Sequence, residues 1–598
     1  MAKNSPDMMP DFRARLPRCG HPLSHDFGFT ATCAHLLPVF HTILNPGEKI
    51  TLGMDYMIRT MPLAQAAMTT IDVHTEYFFV PFNLLYEPAA ANLMRINDNY
   101  SSNFQTQNTG GSDLPLLHWL SLQNYVTANR ATYPYGTRND CLGRSAVRLF
   151  EMLDLNPYVA DENSSSTANS GNFFPYQVLA YHAIYQYRYR LDTREQFVNY
   201  SFNWDSYFGT PLVTLTANEM LEFCKLHCRP QSGDYFNSVK VSPIVDVLNL
   251  NDSYSSFPLA QQWLSRSEYI SGRNVLTSGS IGSAGGAHTN GPDYQALSPV
   301  SNIVTQFGFT GDDFPNTVSG ANTVNGNDIN TANIRAMFAN EKLWSIIGRA
   351  KKRYDDQVFA RFGYKVPHDV KHQISCFGHD ISQIHIGEVI STASTTQAPL
   401  GEIAGKGYGQ QSNQRHSFTA PCHGVVMMIF SITPRYRYKA GFARWNQITE
   451  VNDFYQPEFD HLGMQPMFLY ELYNPSGSVP TGIFGWEYRY QQFKQRYDKV
   501  TNAFTLGGTL NAWMLQKSPW QGTSASIPNT DNYDQFMYHP ADLNQIFLAQ
   551  YSLAWPAAPA GYSAIMAIYD NDNFVVDSHI TANLVSTMSQ YSLPRLDD

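Results

Sequence analysis

Apolar residues recur at every second position in several stretches of the chain, and that period marks β-strands. Ile71, Val73, Thr75, Tyr77 and Phe79 alternate with Asp72, His74 and Glu76, which predicts a half-buried strand ending at Val80-Pro81. Near the C-terminus, Val576, Ser578, Ile580, Ala582 and Leu584 alternate with Asp577, His579, Thr581 and Asn583. Cys33 to Ile43 is apolar, Asn45-Pro46-Gly47 signals a turn, and Ile50 to Met57 alternates loosely. A different pattern governs Val425 to Ile432, an almost unbroken apolar run between Gly424 and Pro434. It is too short for a membrane span and too β-branched and aromatic for a helix, so it predicts a strand covered on both faces. The stretch that follows, Arg435 to Pro466, is aromatic, Pro-rich and weakly charged, and reads as a connection shaped for neighbours.

Helical periodicity is sparser. Arg144 to Leu155 predicts a short amphipathic helix and Val178 to Leu191 a helix with an aromatic face. Ile334, Met337, Phe338, Trp344, Ile347 and Val358 trace another, carrying the basic run Arg349, Lys351, Lys352 and Arg353. Residues 1–26 are rich in Pro, Arg and His and read as an arm. Two segments, about 86–165 and 245–332, read as insertions; the second is dense in Ser, Gly, Asn and Thr and predicts a surface excursion. Strands at both ends, no βα alternation and no internal repeat argue for one antiparallel barrel or sandwich spanning 27–598, closed by the C-terminal strand.

Composition adds a surface argument. Of 598 residues, 14% are aromatic, including 36 Tyr and 36 Phe, while only 15% are charged. A free monomer's surface is about a quarter to a third charged. A Tyr-rich, charge-poor surface fits lasting protein–protein contact better than an aromatic core alone does. The net charge of −10 means that if the protein encloses a genome, another component supplies most of the cations. Seven scattered cysteines suit a reducing compartment, and Cys224-Lys225-Leu226-His227-Cys228 lacks a second ligand pair for zinc. Met1 to Gly20 has no apolar core of a signal peptide, so a soluble protein made in the cytoplasm is expected.

Candidate chemistry is thin. There is no nucleophile elbow, zinc-protease, Walker or dinucleotide motif. Gly405-Lys406-Gly407-Tyr408-Gly409 lacks the Lys-Ser/Thr ending of a phosphate loop and reads as a flexible loop. Asp312-Asp313 and Asp355-Asp356 read as solvated loop charges, and Asp570-Asn571-Asp572-Asn573 resembles part of a calcium loop without its closing Glu. No catalytic residue, metal or cofactor is expected. Three stretches interleave Tyr with cations: Tyr185 to Arg190; Arg435, Tyr436, Arg437, Tyr438 and Lys439; and Tyr488, Arg489, Tyr490, Lys494, Arg496 and Lys499. Such a pattern holds single-stranded nucleic acid, and it equally serves subunit or core packing. The basic run Arg349 to Arg353 is a solvated helix face or a basic patch.

Several short motifs, in order, resemble those of the major capsid proteins of the Microviridae, small single-stranded DNA phages, and most of all the gokushovirus type. They are Leu36-Leu37-Pro38-Val39 with Asn45-Pro46-Gly47-Glu48; Glu76 to Leu85; Phe174-Pro175-Tyr176 with Tyr181 to Tyr185; Asp234 to Ser238; Tyr438 to Gly441; Asp453-Phe454-Tyr455 with His461 to Pro466; and Phe484-Gly485 with Tyr488-Arg489-Tyr490. The resemblance implies an eight-stranded antiparallel jelly roll and self-assembly into a T=1 icosahedral shell around circular single-stranded DNA. It further implies a protrusion at the threefold axis, for which 245–332 is the candidate. A small basic internal DNA-binding protein, minor virion proteins and a host-cell receptor would be partners, and the virion the location. Two other classes compete: a carbohydrate-active enzyme or lectin on a β-sandwich, using Trp and Tyr platforms, and a phage spike protein. The absent secretion signal and acid pair weigh against the first, and the absent repeats against the second.

Overall fold

The structure is a computed structural model that describes residues 18–85, 117–118, 144–155, 172–191, 220, 223–240, 342, 359–360, 373–390, 392, 403–412, 414–439, 441–448, 454–460, 463–472, 482–505, 508–517, 537–538, 540–547 and 572–590. The chain divides into two compact units, one of Met1–Ser242 with Pro367–Asp598 and the other Pro243–Val366. In the second unit Lys342 and Phe359-Ala360 are helical and exposed. The rest of the expected helix over 334–358, the 245–332 segment and residues 1–17 lie outside the described residues, as does most of 86–165.

The first unit is mainly β. Its strands are β1 (Cys19–Pro22), β2 (His25–Ala31), β3 (Leu37–Leu44), β4 (Lys49–Thr60), β5 (Ile71–Pro81), β6 (Leu117–His118), β7 (Asn172–Phe173), β8 (Ser375–Ile390), β9 (Ile403–Ser412), β10 (His416–Thr419), β11 (Gly424–Pro434), β12 (Met464–Phe468), β13 (Ile483–Tyr488) and β14 (Phe574–Ser586). The main sheet is antiparallel and runs β1-β14-β4-β9-β8-β5-β11-β3, with β2 also on β14 and β10 also on β4. Helices α1 (Phe82–Leu85), α2 (Arg144–Met152) and α3 (Tyr176–Ile184) are few and short.

The sheet curls, and the core shows how. Phe430 on β11 meets Phe29 on β2 edge-on at 5.3 Å and Tyr56 on β4 at 6.0 Å, although three strands separate β11 from β4 along the sheet. The expected strand at Val425 to Ile432 is β11, buried at every position between β5 and β3. One face lines the curled sheet and α3 packs against it as well, so no position is left for a polar side chain in water. The C-terminal alternation holds throughout β14, whose Val576, Ser578, Ile580, Ala582 and Leu584 point inward. Both expected helices at Arg144 and Val178 are present, the second continuing as a π-helical turn over Tyr185–Tyr189.

Two expectations need correction. The strand at Ile71 is not half-buried: Glu76, on its polar face, is fully buried. The π-turn and the 223–240 segment cover that face with charge partners, Arg229 at 2.9 Å and Arg188 at 3.4 Å, while the Tyr189 hydroxyl donates to the carboxylate. Burial alone would raise the Glu76 pKa, but Arg229, Tyr189, His379 and Arg188 together hold it below the ordinary value. Alternation reports polarity, and a polar face can be buried when its charges are paired. Likewise Gly405 to Gly409 is no flexible loop but the middle of β9. Its glycines face inward because a Cβ on Gly405 would stand 2.3 Å from the Gln65 carbonyl oxygen, and one on Gly407 2.5 Å from Thr60. Asp572, from the calcium-like stretch, is instead buried in a bidentate pair with Arg148, 2.6 Å to each oxygen, and accepts from Thr30.

Candidate functional site

The hairpin β12–β13 sits on a second, smaller apolar cluster formed by Tyr235, Phe236, Val239, Tyr438, Met467, Leu469, Phe484 and Tyr497. Backbone bonds tie the 234–240 segment to it, since Lys240 and Trp486 exchange N–H···O contacts of 2.8 and 2.9 Å. Tyr438 and Lys499 form a parallel bridge, so two of the Tyr–cation stretches lie side by side.

Within that frame the rings of Tyr438 and Tyr490 are buried inside the subunit and that of Tyr436 is half-buried. Tyr436 donates to Asp542 and stacks on Tyr538 at 5.3 Å. Tyr438 donates to Asp234 at 2.6 Å and packs on Phe236. Tyr490 adopts a left-handed backbone, φ +62°, fixed by Gln465, whose Oε1 accepts from its amide at 3.1 Å. The cations are more accessible. Arg435 pairs with Asp72 at 2.8 Å yet leaves 60% of its side chain exposed, and Arg437 hydrogen-bonds through its backbone to Leu515 and Lys517. Arg489 lies over the rings of Tyr490 and Phe459, Arg496 and Lys499 both lie over Trp445, and Lys494 pairs with Asp460 at 3.1 Å. In the third stretch, Tyr185 stacks flat on His227 at 3.6 Å within the main core. The basic patch Arg349, Lys351, Lys352 and Arg353 lies outside the described residues.

Sequence reasoning singled out Tyr488 and an aromatic connection shaped for neighbours, but missed two features of this region: which rings stand exposed, and a buried acid pair. One is a set of exposed aromatics, Phe442, Phe454, Tyr455, Tyr488 and Phe493, each 45% exposed or more; Tyr455 and Phe493 both pack on Tyr490, at 5.2 and 6.3 Å. Their signal was the aromatic density of the connection. The other is a buried carboxyl pair, Glu471 and Glu487, sharing one cation: Arg444 stands 3.8 Å from the first and 3.6 Å from the second. Tyr235 donates to Glu471 at 3.2 Å and Gln465 to Glu487 at 2.6 Å. Burial, strengthened by the neighbouring Glu471 charge, pushes the Glu487 pKa up to about 8, and burial raises Glu471 too. Nothing in the sequence pairs these two acids.

The arrangement offers contact surface and stacking, and among the described residues no cluster of three or more metal-ligating side chains occurs. A family model described as capsid protein (F protein) matches residues 12–109 and 232–554, more than half of the chain. The chain belongs to that capsid protein family. It is 24% identical to capsid protein VP1 of Chlamydia phage 1 over 641 aligned positions, covering 98% of this chain and 96% of that protein. It is also 25% identical to capsid protein VP1 of Bdellovibrio phage phiMH2K over 130 residues, 21% of this chain and 24% of that one. The resemblance to Microviridae major capsid proteins therefore holds, and this phage capsid protein has a structural rather than an enzymatic role. The carbohydrate-enzyme and spike alternatives find no support in these relatives.

Proposed function

We propose that this capsid protein folds its main unit as an eight-stranded jelly-roll barrel and assembles with copies of itself into a T=1 icosahedral shell around circular single-stranded DNA. The observation that carries the reading is membership of the capsid family by a chain that leaves five aromatic rings exposed near cations, Phe442, Phe454 and Tyr455 on the Arg435–Pro466 connection and Tyr488 and Phe493 at and just after the end of β13. Exposed aromatics at that density are costly in water and stabilising once a neighbouring copy covers them. Many such contacts, each weak, sum through multivalency into a stable shell. Arg435, Tyr488, Arg489, Lys494, Arg496 and Lys499 are the members positioned to meet a neighbour or the genome, with Tyr436, Arg437, Tyr438 and Tyr490 supporting them from below. The 245–332 segment is assigned to the threefold protrusion, where it meets the host receptor, and Arg349, Lys351, Lys352 and Arg353 are kept as a basic patch. The acidic balance of −10 calls for a small basic internal protein beside the DNA, with minor virion proteins completing a particle assembled in the host cytoplasm.

Negative-stain imaging of the purified protein tests the shell: small isometric particles support it, whereas rods or monomers sink it. Tyr488→Ala combined with Phe493→Ala should lower particle yield while leaving the far-ultraviolet circular dichroism unchanged. Normal particle yield from that variant would remove Tyr488 and Phe493 from the interface.

A further inference from the structure

We propose that the outward face of β9, centred on Tyr408, is a stacking platform for single-stranded nucleic acid. The proposal deepens the genome-enclosing reading and rests on it, because it names a surface that meets the strand.

The argument begins from the glycine-rich run. Gly405, Gly407 and Gly409 fill the inward positions of β9, and Lys406, Tyr408 and Gln410 all point out and are exposed. Tyr408 is 59% exposed in the interior of a sheet, not at a loop tip. The register places Arg59 of β4 opposite it on one side and His385 of β8 opposite it on the other. The His385 ring lies 6.3 Å from the Tyr408 ring. An Arg–Tyr–His row thus crosses three adjacent strands, with Lys406 two residues along β9. Residues directly opposite in an antiparallel ladder stand about 5 Å apart, close enough for one nucleotide to touch all three.

Charge selects the occupant. None of the residues around Tyr408 in the ladder (Arg59, Met57, Lys406, Gln410, His385 and Gly387) is acidic, although the chain carries −10 overall. Both Arg59 and Lys406 are exposed, and among the described residues neither forms an ion pair. The acids of this face lie elsewhere: Asp577 is on β14 opposite Met57, and Asp55 accepts a hydrogen bond from Ser412 at 2.9 Å. A π-face flanked by cations that form no ion pair among the described residues fits a base on the ring and phosphates on Arg59 and Lys406. Stacking is indifferent to base identity, as packing a whole genome requires.

The test measures fluorescence anisotropy of a labelled oligothymidylate with the full-length chain over a salt series. Tyr408→Ala should weaken binding about 5- to 150-fold, the loss that follows from removing one stacked base, and Tyr408→Trp should restore it. Lys406→Ala should reduce the salt slope by about 0.7. Photocrosslinking to a bromodeoxyuridine oligonucleotide should place the adduct within residues 403–412. If the wild-type chain binds the oligonucleotide and Tyr408→Ala and Lys406→Ala bind it equally well, the platform is wrong while the genome reading stands. If the wild-type chain forms particles but shows no single-strand affinity, both fall. If Tyr408→Ala instead abolishes particle formation with oligonucleotide binding intact, this face meets a second copy and the proposal is overturned.

Discussion

Replacing Glu487 by Gln should remove a pH dependence that the wild-type hairpin carries. Glu487 is 4% exposed, and one of its carboxyl oxygens is buried without a hydrogen-bond partner. Its acid is held up at about 8 against an ordinary 4.5, first by burial and then by the Glu471 charge, with Gln465 and the shared Arg444 offsetting part of this. Because the folded-state pKa is raised, the folded form binds the proton more tightly than the unfolded form. Stability is therefore complete below pH 4.5, drains as pH rises toward 8, and levels off above it. At about 1.4 kcal/mol per tenfold in proton activity, full ionisation costs the cluster roughly 4 to 5 kcal/mol. Hydrogen exchange of peptides spanning residues 464–490 reads this directly. Between pH 5 and pH 9, after correction for intrinsic rates, protection in the wild type should fall by about three orders of magnitude. In Glu487→Gln only the smaller slope from Glu471 should remain. Equal losses in the two proteins would show that Glu487 ionises freely in the folded state, and the shared-cation account of the cluster would be refuted.

Two further substitutions probe the main sheet. Asp572→Asn leaves the Arg148 guanidinium buried beside a neutral amide, 3% exposed, and should cost about 3 kcal/mol in urea denaturation; a loss under 1 kcal/mol would mean that water reaches the pair. Gly405→Ala drives a methyl to 2.3 Å from the Gln65 carbonyl oxygen, whereas Gly409→Ala meets Ile384 at 3.4 Å. The first should lower stability by about 1–3 kcal/mol and the second by well under 1, so equal thermal shifts would contradict the inward packing of β9.

The strands that could be read from the sequence are those whose burial pattern matches their chemistry. β11 is apolar because both of its faces are covered, and β14 alternates because one face is. The carboxyl pair and the exposed rings of the connection were not legible, since Glu471 and Glu487 acquire their meaning only when β12 and β13 pair and bring Arg444 between them. Among the Tyr–cation stretches, composition could not distinguish buried rings such as Tyr438 from exposed ones such as Tyr488. Both serve aromatic contact, and only the register of neighbouring segments decides which face is covered.

The sequence by itself determined the β-rich class, the positions of β3, β4, β5, β11 and β14 and both helices near Arg144 and Val178, because periodicity is a local property written residue by residue. The ordered motifs also pointed to the capsid family. Tertiary structure alone decided that Glu76 is buried among cations, that the glycine-rich run is a strand, and that Arg59, Tyr408 and His385 stand in one row. Each of these depends on contacts between residues tens to hundreds of positions apart. Such pairings carry no local period, and burial, charge pairing and close backbone approach are set by them.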